Sequence, residues 1–241
     1  MDTQDNKITG LSPELDSKIQ ELHSFLSEVL ERFDDVVYAN SLGAEAMVLT
    51  DILCRYFPSV EIFTLDTGRL HEETYRLLEE VQQRYGRPIR VYYPAAEAVE
   101  SYVNSHGING FYRDPDLRQS CCHIRKVQPF ARAMAGREAW ITGVRRGQSA
   151  ARAIAKPVEW DDDNGLYKIS PLLQWEHDDI WAYISALELP YNPLHDQGFP
   201  SIGCAPCSRA IQAGEGSRDG RWWWESSTHK ECGLQPRIRV A

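Results

Sequence analysis

The sequence predicts an α/β domain built on a parallel sheet and followed by an irregular tail. Three observations carry this. Strand and helix patterns alternate from Val36 to about Gly143, small-residue turns join strands to the helices after them, and regular periodicity fades beyond Pro190. The chain accordingly divides into an N-terminal helical segment, residues 1–35, an α/β body, 36–200, and a C-terminal segment, 201–241, within one structural domain. Ligands of such sheets bind beyond the carboxyl ends of the strands. The turns at 40–45 and 66–69 are therefore the first places to look for a site.

Ser12-Pro13-Glu14 supplies a hydroxyl cap, a first-turn proline and an early carboxylate. Leu15, Ile19, Leu22, Leu26, Val29 and Phe33 then recur at helical spacing, which predicts a helix over 13–33. Val36–Ala39 reads as a short buried strand. It runs through Asn40-Ser41-Leu42-Gly43-Ala44-Glu45 into a helix over 46–57, an arrangement whose backbone N–H groups and helix dipole suit an anion. The unit repeats: strand 60–65, turn Asp66-Thr67-Gly68-Arg69, helix 71–85 stopped by Gly86, strand 89–93 and helix 95–106. A further helix is expected to open at Cys121-Cys122 and run to about Ala135, before a strand over 139–143. The polar loop Asp161–Gly165 between two apolar runs predicts a hairpin, and 176–189 a helix ended by Pro190.

With 241 residues, 42% hydrophobic and 25% charged, the chain reads as globular, and no apolar run approaches the roughly 20 residues of a membrane helix. The polar, acidic start Met1–Gly10 lacks the basic and apolar regions of a secretory signal, which predicts a cytoplasmic protein. Twenty-six basic against 35 acidic residues, net −9, disfavour general nucleic-acid binding while leaving room for a small anionic ligand.

In a reducing compartment, clustered cysteines point to metal or thiol chemistry rather than disulfides. Of the six, Cys54 lies in an apolar helix and reads as a small buried hydrophobe. Cys204 and Cys207 flank a tight Ala-Pro turn, and Cys121 and Cys122 are adjacent. Two such pairs suit a [4Fe–4S] cluster or a zinc ion, with a metal-free dithiol as the third reading. Consecutive sulfurs reach separate irons of a cube more easily than one tetrahedral ion. Cys232 has no spacing partner and sits beside Lys230 and Gly233, with Arg218 and Arg221 upstream. Positive surroundings favour the thiolate, so Cys232 is the candidate nucleophile. Lys126, Arg145, Arg146, Arg152, Arg218 and Arg221 lie beside glycine-rich turns or cysteine pairs and are candidate anion ligands, whereas Trp222–Trp224 read as packing for the tail.

These motifs resemble the assimilatory adenosine 5′-phosphosulfate (APS) reductases that carry a [4Fe–4S] cluster, within the PAPS/APS reductase family. The resemblance runs from about Val36 to Leu234 on Leu65-Asp66-Thr67-Gly68-Arg69-Leu70-His71, Cys121-Cys122-x-x-Arg125-Lys126, Thr142-Gly143-x-Arg145-Arg146-x-Gln148-Ser149, Leu189-Pro190-Tyr191-Asn192, Gly203-Cys204-x-x-Cys207, Gly220-Arg221-Trp222-Trp223-Trp224-Glu225 and Lys230-Glu231-Cys232-Gly233-Leu234. It implies an adenine-nucleotide α-hydrolase-like fold with a nucleotide-binding body. It implies Cys121, Cys122, Cys204 and Cys207 as cluster ligands and Cys232 as the catalytic cysteine. It further implies Lys126, Arg152, Arg218 and Arg221 around the phosphosulfate, with Ser41, Asp66, Thr67 and Gly68 in the nucleotide turns.

The implied activity is reduction of APS to sulfite and AMP through a cysteine S-sulfonate, in sulfate assimilation and cysteine biosynthesis. Thioredoxin or glutaredoxin would be the reductant, and the family leaves room for a homo-oligomer. Two departures stand out: Ser41-Leu42-Gly43-Ala44-Glu45-Ala46 where the family usually reads Ser-Gly-Ala-Glu-Asp, and Gln235 where it usually carries histidine. The alternatives are a reductase for the 3′-phosphorylated substrate (PAPS) or for both, and more distantly a zinc-stabilised nucleic-acid-binding module. A related tRNA thiolase would want a Ser-Gly-Gly-x-Asp-Ser loop, which residues 40–46 do not supply.

Overall fold

Ser12 caps the first helix, its Oγ accepting the Leu15 N–H at 3.2 Å, and α1 runs Pro13–Leu30. The computed structural model describes residues 11–149, 152–225 and 234; Cys232, Lys230, Gly233 and Gln235 lie outside these. The chain continues as β1 (Val36–Ala39), α2 (Ala44–Tyr56), β2 (Glu61–Leu65), α3 (Glu72–Tyr85), β3 (Arg90–Tyr92) and α4 (Ala96–His106). Then come α5 (Pro115–Cys122), α6 (Gln128–Met134), β4 (Ala139–Ile141), the hairpin β5 (Val158–Asp161) and β6 (Leu166–Ile169), and α7 (His177–Ala186).

The six strands form one sheet in the order β3-β2-β1-β4-β6-β5. All neighbouring pairs are parallel except β5–β6, which is antiparallel, so the hairpin's second strand joins the parallel sheet and its first forms the edge. Successive side chains of a strand face opposite ways, and the two cores obey that rule. Val36, Tyr38, Ile62, Ala139 and Ile141 join α1, α2, α3 and α7 in the larger core. Val37, Phe63 and Trp140 join Phe130, Ala133 and Met134 of α6 on the other face. Strand order reverses between β1 and β4, and a crevice opens beyond their carboxyl ends.

Several ends fall one to three residues inside the sequence expectation, α1 at Leu30 rather than 33 among them, and two boundaries have identifiable causes. The helix expected to 189 ends at Ala186, because Glu188 turns left-handed (φ 48°) and Leu189 N–H bonds back to Ile184 O at 3.0 Å. Arg84 of α3 donates to the carbonyls of Leu187 and Glu188 that this turn leaves open. The larger difference is at the adjacent cysteines. Cys121 and Cys122 close α5 instead of opening a helix, and a π-helical turn, His123–Val127, separates α5 from α6. Pro129 has no N–H to give the Arg125 carbonyl and its ring crowds that turn, so the helix widens, with Gln128 N–H reaching His123 O.

Candidate active site and cysteine centre

The widened turn sets the directions of the side chains behind the cysteines. One extra residue in a turn rotates the residues beyond it by about 100°. Arg125 thereby faces the β2–α3 turn, donating from Nη1 to Thr67 O at 2.6 Å, while Lys126 reaches the crevice. Thr67 in turn places its Oγ1 at 3.3 Å from Cys204 Sγ, and Ala205 N–H donates to Arg69 O at 2.7 Å. The end of β2 therefore joins the two cysteine pairs, which are more than eighty residues apart in sequence.

Cys121, Cys122, Cys204 and Cys207 line one small cavity of about 20 Å³, together with Arg69, Phe111, Arg118, Arg125, Lys126 and Pro206. Phe111, Cys207 and Trp222 form an apolar cluster there, with Cys121, Cys204 and Trp224 packed on it. Burial pushes the Cys207 thiol up to about 12, reinforced by the sulfurs of Cys204 and Cys122 and opposed by Arg221 and Lys126. Burial raises the Cys121 thiol too, against the pull of Arg125. Among the described residues, no three His, Cys, Asp or Glu side chains converge as a single metal ion requires. The four sulfurs share one cavity beside an apolar cluster, and soft thiolates are the donor set of zinc and of iron–sulfur groups alike. Trp222 adds a sign of fit, since its Nε1–H is buried beside this centre and has no hydrogen-bond partner among the described residues.

The tail is zipped onto the centre. Ser208 and Arg221 form an isolated antiparallel bridge, Arg209 N–H donates to Gly220 O at 3.0 Å and Trp222 N–H to Cys207 O at 3.3 Å. Arg221 is buried, its Nε 3.2 Å from Cys207 O and its guanidinium 4.7 Å from the Trp222 ring centre. Gly203 makes room for it, because a Cβ there would lie 2.2 Å from Arg221 Nη2. Trp222 sits at φ 44°, a conformation that tryptophan rarely adopts, held by the packing around it. Glu225 closes the stretch in a buried two-pronged pair with Arg118, whose Nε and Nη2 each stand 2.9 Å from a carboxylate oxygen. Arg118 also stacks 4.8 Å from the Trp222 ring and hydrogen-bonds Cys122.

Beside the cysteine centre lies the crevice itself, a cavity of about 580 Å³. Lys126, Arg152, Arg218 and Arg221 all line it, and Lys126 borders both cavities. The β1–α2 turn, Ser41 to Glu45, supplies another wall. Its backbone is fixed by Asn40, which donates to Thr50 Oγ1 at 2.9 Å and accepts the Leu42 N–H at 2.7 Å. Leu42 is thereby held at φ 56° with its side chain buried. The shifted serine still faces the crevice, and Leu42 takes the strained position.

The remaining candidates divide. Thr67 lines the crevice and touches Cys204, whereas Asp66 and Gly68 do not line it: Asp66 Oδ1 accepts the Gly68 N–H at 2.7 Å and the Tyr75 hydroxyl at 2.9 Å, shaping the turn. Arg145 faces the crevice but is engaged by Glu45, Nε to Oε1 at 2.8 Å, and Gln148 donates to the same oxygen at 3.1 Å. Arg146 donates to Ala155 O at 3.3 Å and is not on the crevice wall. Arg118, Thr67 as a sulfur partner, and Glu225 as the partner of Arg118 are contributions that spacing alone did not reveal.

Burial holds two imidazoles, His71 and His195, below the ordinary histidine range. Opposing charges, Glu73 for His71 and Glu45 for His195, only partly offset it. A base with a lowered folded pKa binds fewer protons folded than unfolded, so stability rises with pH. The contribution is complete above about pH 6.5, the ordinary value, and is lost as pH falls below it. Urea midpoints should therefore drop on acidification from about pH 7.5 to 5.5, and replacing both histidines by glutamine should flatten that slope. An unchanged slope would assign the acid sensitivity to other groups.

Fold and site together define an α/β protein of the nucleotide-binding, parallel-sheet kind, with a cation-lined crevice joined to a four-cysteine centre. The phosphoadenosine phosphosulfate reductase domain matches residues 35–210, and the chain belongs to that family. It is similar to the adenosine 5′-phosphosulfate reductase of Burkholderia cepacia, 50% identical over 226 residues covering 94% of this chain and 90% of that one. It is likewise similar to that of Allochromatium vinosum, 52% identical over 212 residues covering 88% and 83%. Among solved structures, phosphoadenylyl-sulfate (PAPS) reductase from Candida auris, in a phosphate complex, superposes with a TM-score of 0.68 at 27% identity over 83% of this chain and 98% of that one. An FMN adenylyltransferase from Candida glabrata shares the fold alone, with a TM-score of 0.57 at 16% identity over 84% and 68%.

Proposed function

We propose that the protein reduces adenosine 5′-phosphosulfate to sulfite and AMP in sulfate assimilation, with Cys232 as nucleophile. The observation that carries this reading is the adjacency of the two cavities. Four cations line a crevice large enough for a nucleotide, and one of them, Lys126, also borders the four-cysteine centre. The Cys232 thiolate attacks the sulfur of APS; an S–S bond forms, the S–O bond to phosphate breaks, and AMP leaves with the electron pair. A thiolate approaching an anionic group meets like-charge repulsion. Lys126, Arg152, Arg218 and Arg221 offset that repulsion and stabilise the charge growing on the leaving phosphate. A dithiol protein of the thioredoxin or glutaredoxin class then attacks the sulfur of Cys232 in the S-sulfonate, releases sulfite and restores the thiol as its own pair becomes a disulfide.

Cys121, Cys122, Cys204 and Cys207 are the residues that would hold a [4Fe–4S] cluster. Bound there, the cluster would fix the four thiolates and contribute local electrostatics beside Lys126. Arg125, Thr67 and Trp222 would hold the ligands and Lys126 in place. Ser41 and the turn behind it, with Thr67 on the wall and Asp66 and Gly68 shaping the neighbouring turn, form the nucleotide side. No helix among the described residues is long and apolar enough to cross a membrane, which fits a cytoplasmic enzyme.

The competing substrate is PAPS, the one named for the Candida auris neighbour. The four paired cysteines favour APS. The test is turnover of the two nucleotides by the iron-loaded protein with thioredoxin, reading sulfite and the released nucleotide. A kcat/KM higher for APS supports the reading; equal or higher values for PAPS would replace it.

A further inference from the structure

The hairpin strand β5 ends the sheet, and its outer edge carries backbone groups that no strand among the described residues pairs. Pro157 O accepts the Ser170 N–H at 2.8 Å, so Pro157 faces β6. Residues of an antiparallel strand alternate between facing the neighbouring strand and facing away. Glu159 and Asp161 therefore also face β6, and the N–H and C=O groups of Val158 and Trp160 point outward. Pro157, which has no N–H, falls in the inward set and takes nothing from the outer row.

The side chains at this edge are aromatic on one face. Trp160 is 52% exposed and Tyr167, opposite it on β6, 40%, with ring centres 5.1 Å apart. Phe33, just after α1, continues the patch 5.1 Å from Tyr167. An exposed aromatic patch on an unpaired strand edge marks an association surface. The charges say what fits it. Exposed Lys156 precedes the strand and exposed Asp162 follows it. A second copy laid antiparallel about Glu159 sets Lys156 opposite Asp162 of the other copy at both ends. The same register sets Val158 opposite Trp160 of the other copy, where the outward groups exchange their hydrogen bonds. Glu159 meets its own counterpart on the axis, and Lys168 Nζ, 3.2 Å from its Oε1, offsets that like-charge contact. A foreign strand could satisfy the backbone, but nothing would give it opposite charges at both ends.

We propose that β5 is a homodimer interface, in which two copies pair antiparallel through Val158–Trp160 and join their sheets across a two-fold axis. Trp160 then packs on Val158 of the other copy, aromatic against β-branched, a pairing that stabilises adjacent strands. The two-fold repeats each contact, so every substitution acts twice.

The test follows sedimentation of the iron-loaded full chain over a range of concentrations, together with amide exchange at Val158 and Trp160. The expected result is a monomer–dimer equilibrium in which both amides gain protection as the dimer forms. Trp160→Lys should raise the dimer Kd about tenfold or more. Lys156→Asp should weaken the dimer, most clearly at low salt, and adding Asp162→Lys should restore it. All three substituted side chains are exposed, so the folded monomer should persist in each variant. A parent that stays monomeric, or a dimer whose Val158 and Trp160 amides exchange as in the monomer, overturns the proposal. So does a dimer unmoved by Trp160→Lys, or a charge reversal that the second substitution fails to repair.

Discussion

Cys232→Ser is expected to remove APS reduction down to background while leaving AMP affinity and thermal stability at parent values. Serine is smaller only at one atom, but its hydroxyl is not ionised near neutral pH, so the attacking anion is lost. The other cysteines offer no substitute. Four line the centre between α5 and the tail. Cys54 is packed on the larger core, its thiol raised by burial against the weaker effect of Arg87. Intact-protein mass after exposure to APS should show no S-sulfonate in the serine variant. A variant that retains turnover would move the nucleophile to another residue.

Lys126→Gln should have the next largest effect. Its side chain borders the crevice and the cysteine cavity, and its charge is among those that counter the burial of the Cys207 thiol. Removing one preorganised donor from a site where charge develops costs about 10²–10³ in rate. Single-turnover adduct formation should fall by that factor, AMP affinity by less, because much of the charge on phosphate appears only as the S–O bond breaks. Iron and sulfide content at parent level would place the effect in the reaction. A rate loss matched by loss of iron would make Lys126 a support of the centre instead.

The sheet and its helices were legible because their causes are local. The continuous apolar run at Val36–Ala39, the Ser12 cap and the Gly86 stop each act within a few residues, and the structure repeats them with small shifts at the ends. The pairing of Cys121-Cys122 with Cys204-x-x-Cys207 was legible from spacing and family motif together. The features that stayed hidden depend on contacts between distant segments. The π turn after Cys122 arises from Pro129 acting on a carbonyl four residues back, a cause visible only once the helix is known to continue through it. Arg118 and Glu225 are 107 positions apart, so no window of sequence shows that one neutralises the other. Arg145 looked like a substrate ligand beside a glycine turn and proves to be held by Glu45, from a turn 100 positions upstream. Asp66 reads as a nucleotide contact in the motif, and spacing does not show that its Oδ1 accepts from the Gly68 N–H of its own turn and from the Tyr75 hydroxyl.

The most direct measurement is peptide mapping of the iron-loaded protein after incubation with APS in the absence of any thiol reductant, with AMP quantified in the same sample. One SO₃ adduct on the peptide that carries Cys232, matched by one AMP released per chain and removed by thioredoxin with release of sulfite, is the predicted result. An adduct on any other cysteine, or AMP release without one, would contradict it.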